Sequence, residues 1–241
     1  TVYPFGLGLG SILAAFSQNL RSALQKHLKS RLSTAGATYV RFFYAIPFAL
    51  LYLVILNQVF ELPLPEPNAN FIGFGIIGGA TQIIATALLV YLFSFRNFAV
   101  GTAYSKTETA QTAVFGLIIL GDPLTPGAII GIMISLVGVM AISTARQEGG
   151  LKNILQSLSQ KTALIGLASG AMFGISAISY RAASLSLGGD GVLIQAAYTL
   201  GCVTIFQTLI MTLYLQVKEK GEVNNVLRNW RVAILVGLSG M

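Results

Sequence analysis

The sequence predicts an all-α polytopic membrane protein, whose internal repeat, taken up below, gives paired five-helix inverted repeats. Three observations carry the membrane class. Of 241 residues, 54% are hydrophobic and only 10% charged, with a mean hydropathy of +0.75, whereas a soluble domain carries about 25% charged residues. Apolar runs of about twenty residues, long enough to cross a bilayer, recur along the whole chain. Basic residues fall in alternate loops between those runs. The single cysteine, Cys202, and the single histidine, His27, exclude a disulfide framework and a His/Cys zinc cluster. A net charge of +7 is accounted for by membrane topology rather than by nucleic acid, because the basic residues lie in short loops.

Seven complete spans are expected, at 4–25, 36–59, 70–94, 98–120, 126–145, 162–187 and 192–217, with an eighth opening near Trp230. The first lacks a basic leader region and continues into Arg21 and Lys26, unlike a cleaved signal peptide. The second carries Pro47, which can kink it. ELPLPEPNAN at 61–70 is a Pro-rich turn that cannot continue a helix. The third span has Gly73, Gly75, Gly78 and Gly79 for close packing. The fourth is polar in its middle, TAYSKTETAQT at 102–112. GDPLTPG at 121–127 turns the chain; Asp122 serves the turn, Thr125 caps the fifth span and Pro126 suits its first position. Gly127 and Gly131 there, and Gly166, Gly170 and Gly174 in the sixth span, are spaced by four and permit close helix approach. Residues 146–161 form a polar linker with a surface helix at 151–158.

Loops one, three, five and seven hold eleven Lys and Arg residues, while loops two, four and six hold none and contain Glu61, Glu66, Asp122 and Asp190. Positive charge stays cytoplasmic, so the odd loops are expected inside and Thr1 outside. Shifting the sequence by 160 places Gly6-Leu7 on Gly166-Leu167, Gly10 on Gly170 and Arg21 on Arg181. Five helices per copy is an odd number, so the second copy must be inverted. The expected organisation is a first repeat at 1–145, a linker at 146–161 and a second repeat at 162–241. The chain starts at Thr1 and stops at Met241 within an apolar run. It is therefore expected to be a piece of a longer protein, with the second repeat incomplete.

Residues 96–143 resemble the drug/metabolite transporter superfamily, EamA type: a small-residue helix, a Gly-acid turn (Gly121-Asp122) with Leu124-Thr125, then a helix with Gly131 ending in Gly138-Val139. Arg41 with its following apolar run resembles the family's second helix. The resemblance implies a ten-helix transporter fold of two five-helix repeats and solute movement without ATP. The sequence departs from the family in having Asp122 where Glu is commoner, and in loop charges that put the amino terminus outside rather than inside.

Glu108 falls near the bilayer centre, where a charge costs about 2.5–3.5 kcal/mol on insertion scales. It is a candidate proton-exchange or substrate-ammonium site, or an ion-pair partner of Arg21, Arg41 or Lys106. Tyr104, Ser105, Glu108, Gln111 and Thr112 share one helical face, at spacings of three and four, that should line a cavity. Lys106 then points about 200° away from Glu108. Arg21, on a face with Gln18 and Gln25, and Arg41 sit toward the odd-loop side and are candidates for a basic mouth that attracts carboxylate or phosphate; the bland alternative is snorkelling to the interface. Arg181 is a weaker candidate. The expected substrate-binding set is Glu108, Lys106, Tyr104, Gln111, Gln18, Arg21 and Arg41.

Four basic and one acidic residue within the spans sum to +3, which leans toward anionic or zwitterionic solutes such as amino acids. The expected function is secondary transport of a small metabolite or amino acid by alternating access. Export, proton coupling and an inner-membrane, multi-pass location are part of that expectation. Its partners are the solute, the lipid bilayer and protons, with no nucleic acid. No G-x-x-x-x-G-K-[ST] occurs, and no cofactor, metal or enzymatic activity is expected. The alternatives are an intramembrane lipid-acting enzyme, for which a single loop histidine is a poor starting point, and a non-transporting scaffold.

Overall fold

The computed structural model describes residues 4–95, 98–121, 125–145, 161–189 and 191–240, and every element among them is helical. In chain order these are α1 (Pro4–Leu28), α2 (Thr34–Phe43), α3 (Ile46–Gln58), α4 (Ala69–Leu92), α5 (Phe98–Ser105), α6 (Glu108–Phe115) running into a π-helical turn (Gly116–Leu120), α7 (Pro126–Ala145), α8 (Lys161–Ser186), α9 (Val192–Lys218), α10 (Glu222–Arg228) and α11 (Trp230–Leu238). Four stretches, Thr34–Gln58, Ala69–Leu92, Lys161–Ser186 and Val192–Lys218, are long and apolar enough to cross a membrane. Leu51, Ile72, Leu164 and Leu213 are exposed on them, as apolar side chains facing lipid must be.

Local chemistry sets the helix ends. Asn68 accepts from Phe71 N at 2.8 Å and starts α4, and its Nδ2 donates to Ser186 O at 2.5 Å. Thr125 Oγ1 accepts from Ala128 N at 3.2 Å, so it caps α7 with Pro126 in first position, as the sequence indicates. Gly121 closes the π turn at φ 69°, a left-handed conformation that glycine adopts without a Cβ penalty.

Two expected spans are not continuous. The second divides into α2 and α3 at Tyr44–Ala45, with Pro47 in the first turn of α3; the proline removes a backbone donor where the helix breaks. The fourth divides into α5 and α6 at Lys106–Thr107 and ends in the π turn. Loop seven contains α10 rather than a bare connection. Asp122 and the predicted surface helix at 151–158 lie outside the described residues.

The chain packs as two compact units, Leu62–Val203 and Thr1–Glu61 with Thr204–Met241, so α9 contributes to both. In the unit Leu62–Val203 α8 is central. One side lies along α4, where Ser169 Oγ donates to Ala85 O at 2.8 Å and Tyr180 Oη to Gln82 Oε1 at 2.8 Å. The other side lies along α5 and α6. There Gly166 abuts the backbone of Gly101, Gly170 meets the α5–α6 break, and Gly174 meets Thr112 and Phe115. The glycines thus let backbones touch, as small-residue motifs do in lipid. Gly127 and Gly131 do not share this role: a Cβ on either would meet nothing within 4 Å.

In the other unit α11 packs on α1, α2 and α3, and α10 packs on α2. Gly237 abuts the backbone of Tyr44 where α2 gives way to α3. Tyr39 Oη and Thr212 Oγ1 share a hydrogen bond of 2.8 Å, tying α2 to α9.

A Cβ at Gly166 must displace backbone, so Gly166→Ala should lower stability by about 1–3 kcal/mol, the usual range for overpacking. Gly131→Ala should leave it unchanged or raise it. Thermal unfolding of both variants in detergent checks this; equal melting temperatures would contradict the packing described.

Candidate functional site: the broken fourth span

The polar run in the fourth span closes the helix break with its own side chains. Lys106 N donates to Ala103 O at 3.0 Å and Thr107 N to Tyr104 O at 3.1 Å, a tightened turn in place of regular α-helical bonding. Thr107 Oγ1 also donates to Tyr104 O at 2.7 Å, and Ser105 Oγ donates to Thr102 O at 2.8 Å. Gln111 Nε2 reaches back across the break to Thr107 Oγ1 at 2.8 Å and lies 3.5 Å from Leu167 O on α8. Glu108 then opens α6 in its first turn, where the helix dipole favours a negative charge.

This geometry corrects the single-face expectation. Tyr104 and Ser105 are buried, whereas Glu108, Gln111 and Thr112 are half-buried. Lys106 occupies the turn between the two segments, so an angle measured round one continuous helix does not describe its relation to Glu108. Gly170 lies against Ser105 O, Glu108 N and Gln111 Nε2, at 3.0, 3.3 and 3.4 Å from the position a Cβ would take. The break therefore rests on α8. Tyr104, Lys106, Glu108 and Gln111 all belong to the unit Leu62–Val203.

Gln18, Arg21 and Arg41 belong to the other unit. Gln18 is half-buried, and Arg21 and Arg41 are each only 7% exposed. Arg41 places its guanidinium 5.6 Å from the centroid of the Phe42 ring, within cation–π range. Arg21 lies beside Gly240. Arg181, its partner in the 160-residue shift, is exposed.

Several buried polar groups lie outside the expected substrate-binding set. In α9 these are Thr204, Gln207 and Thr208, with Thr208 Oγ1 unpartnered. In α1, Gln25 is 1% exposed; its Nε2 donates to Ala37 O at 3.2 Å and its Oε1 is unpartnered. An unsatisfied buried acceptor costs about 1–3 kcal/mol. The signal was available: Thr204, Thr208 and Thr212 recur every fourth residue in an apolar span. A cavity of about 390 Å³ opens elsewhere in the unit Leu62–Val203, lined by Leu62, Pro63, Leu64, Pro65, Ile194 and Gln195 among others. It includes none of the predicted site residues.

Compared with known proteins, residues 5–144 match the EamA-like transporter family. No curated protein and no solved structure matches the chain.

If Thr107 and Gln111 stitch the break together, Thr107→Val and Gln111→Leu should be coupled by about 0.5–1.5 kcal/mol, the net contribution of one hydrogen bond. A double-mutant cycle on unfolding free energy measures this. Additive effects would mean that the bond does not hold the break.

Proposed function

The chain belongs to the EamA-like transporter family of the drug/metabolite transporter superfamily, and on that premise we propose that it is a secondary carrier that exports a small zwitterionic or anionic metabolite, such as an amino acid, across the inner membrane. It is a multi-pass membrane protein of a family whose members are transporters, not enzymes. The observation that carries the finer reading is the interruption of the fourth span at Lys106–Thr107. Discontinuous helices form substrate sites in many carriers, because a half-helix presents unpaired N–H groups and a positive dipole end at mid-membrane depth.

In this reading Lys106 and the start of α6 attract a carboxylate. Glu108 alternately takes a proton and the substrate ammonium, which couples flux to the proton gradient. Tyr104 and Gln111 complete the polar lining. In the other unit, Gln18, Arg21 and Arg41 form a basic recruitment site for the same carboxylate or phosphate chemistry. The sequence match between the stretches around Arg21 and Arg181, shifted by 160, fits two repeats that would expose the site to each side in turn. Among the described residues, no group of three or more His, Cys, Asp or Glu side chains that could hold a metal ion supports the lipid-acting enzyme alternative.

Flux of labelled amino acids into proteoliposomes, with and without a pH gradient, tests the reading. Wild type should carry solute faster with the gradient, and Glu108→Gln should insert normally but lose gradient-driven flux. Unaltered pH-dependent flux by that variant would remove Glu108 from the mechanism. A topology measurement is independent of the solute: an epitope at residue 65 should be reachable from outside intact cells and one at residue 29 should not. The reverse labelling would overturn the orientation derived from loop charge.

A further inference from the structure

A second polar assembly lies at the start of α2, within the unit that contains α1, α2, α10 and α11. Ser33 caps α2 by accepting from Gly36 N at 2.9 Å. The Ser33 hydroxyl donates in turn to the Glu219 carboxylate, and the Ser33 N–H donates to Glu222 Oε1 at 2.6 Å. Asn225 Nδ2 donates to Glu222 Oε2 at 3.0 Å, so both oxygens of that buried carboxylate are held. Glu222 also lies against Gly36, leaving no room for a Cβ there. Two carboxylates thus face the positive end of α2. These bonds bring the loop before α2 and the loop before α10 together at one end of the unit.

One turn further along α2 lies Ala37, whose carbonyl holds Gln25 Nε2 at 3.2 Å while Gln25 Oε1 stays buried without a partner. The two features oppose each other. The carboxylate clasp favours the closed arrangement, and the unsatisfied amide oxygen favours one that water can reach. Opposed contributions of this kind narrow the free-energy gap between a closed and a hydrated arrangement.

We propose that the Ser33–Glu219–Glu222 clasp is a latch that holds the odd-loop end of this unit shut, and that releasing it hydrates the Gln25 site. The latch goes beyond the carrier reading and does not depend on which solute moves. It names Ser33, Glu219 and Glu222 as conformational residues and gives Gln25 the opposite effect.

The test uses accessibility rather than flux. In a Cys202→Ser background, a single cysteine replaces fully buried Thr38, next to Ala37, and reacts with a membrane-impermeant maleimide in proteoliposomes. Ser33→Ala and Glu222→Ala should each accelerate labelling at least about fivefold. Gln25→Leu, which removes the unsatisfied oxygen, should slow it at least about threefold. A matching reporter at Ser169, fully buried in the other unit, should keep its rate in every variant. Unchanged rates at residue 38 in the variants would overturn the latch. So would acceleration by Gln25→Leu, or parallel acceleration at residue 169, since each marks general loosening. Should Ser33→Ala or Glu222→Ala fail to insert, the slowing predicted for Gln25→Leu still decides the matter.

Discussion

Backbone hydrogen bonding governs this molecule. In hydrocarbon no water replaces a lost N–H···O=C bond, so an interrupted helix is tolerated only where protein or a polar cavity takes over. The α5–α6 interruption meets that condition in two ways. Thr107, Ser105 and Gln111 supply side-chain bonds around the turn. Gly170 lets α8 come against the same turn with no Cβ between them. The second interruption, at Tyr44–Ala45, has a glycine neighbour too, since Gly237 of α11 abuts the Tyr44 backbone. Each break is thus paired with a glycine on a neighbouring helix of its own packing unit.

That arrangement has an electrostatic consequence. A helix interrupted within the membrane creates a new positive end there, and Glu108 stands in its first turn with Lys106 just before it. In the carrier reading proposed above, a charge pair of opposite sign at the opening of a half-helix suits a zwitterion better than a hydrophobic solute. The buried guanidinium-bearing residues Arg21 and Arg41 extend the basic character to the other unit. Intramembrane charge is costly and is retained for function by default, and the chain belongs to a transporter family.

The sequence disclosed the class of protein because lipid imposes long apolar runs and leaves few other ways to satisfy a backbone. The capping of α7 by Thr125 and the kink near Pro47 were legible because the chemistry is local. The break at Lys106–Thr107 was not. Neither proline nor glycine marks it, and TAYSKTETAQT has the periodicity of an unbroken polar face. Thr107 and Gln111 direct hydrogen bonds at the turn itself, a local use of polarity that this periodicity does not reveal. The glycine spacing was informative in one helix and silent in another. Gly166, Gly170 and Gly174 meet a neighbour, while Gly127 and Gly131 meet none, because spacing records which side is small but not what lies against it. The carboxylates Glu219 and Glu222 lie far from Ser33 in sequence, and only the path of the chain brings them to it.

Amide hydrogen exchange in lipid nanodiscs tests the central claim most directly, that the fourth span is interrupted at Lys106–Thr107 and works there. The amides of residues 106–108 should exchange far faster than those in the middle of α4, such as Ala85 and Thr86, and a transported solute should slow them. Protection at 106–108 equal to that of α4, with or without solute, would describe a continuous helix and contradict the account.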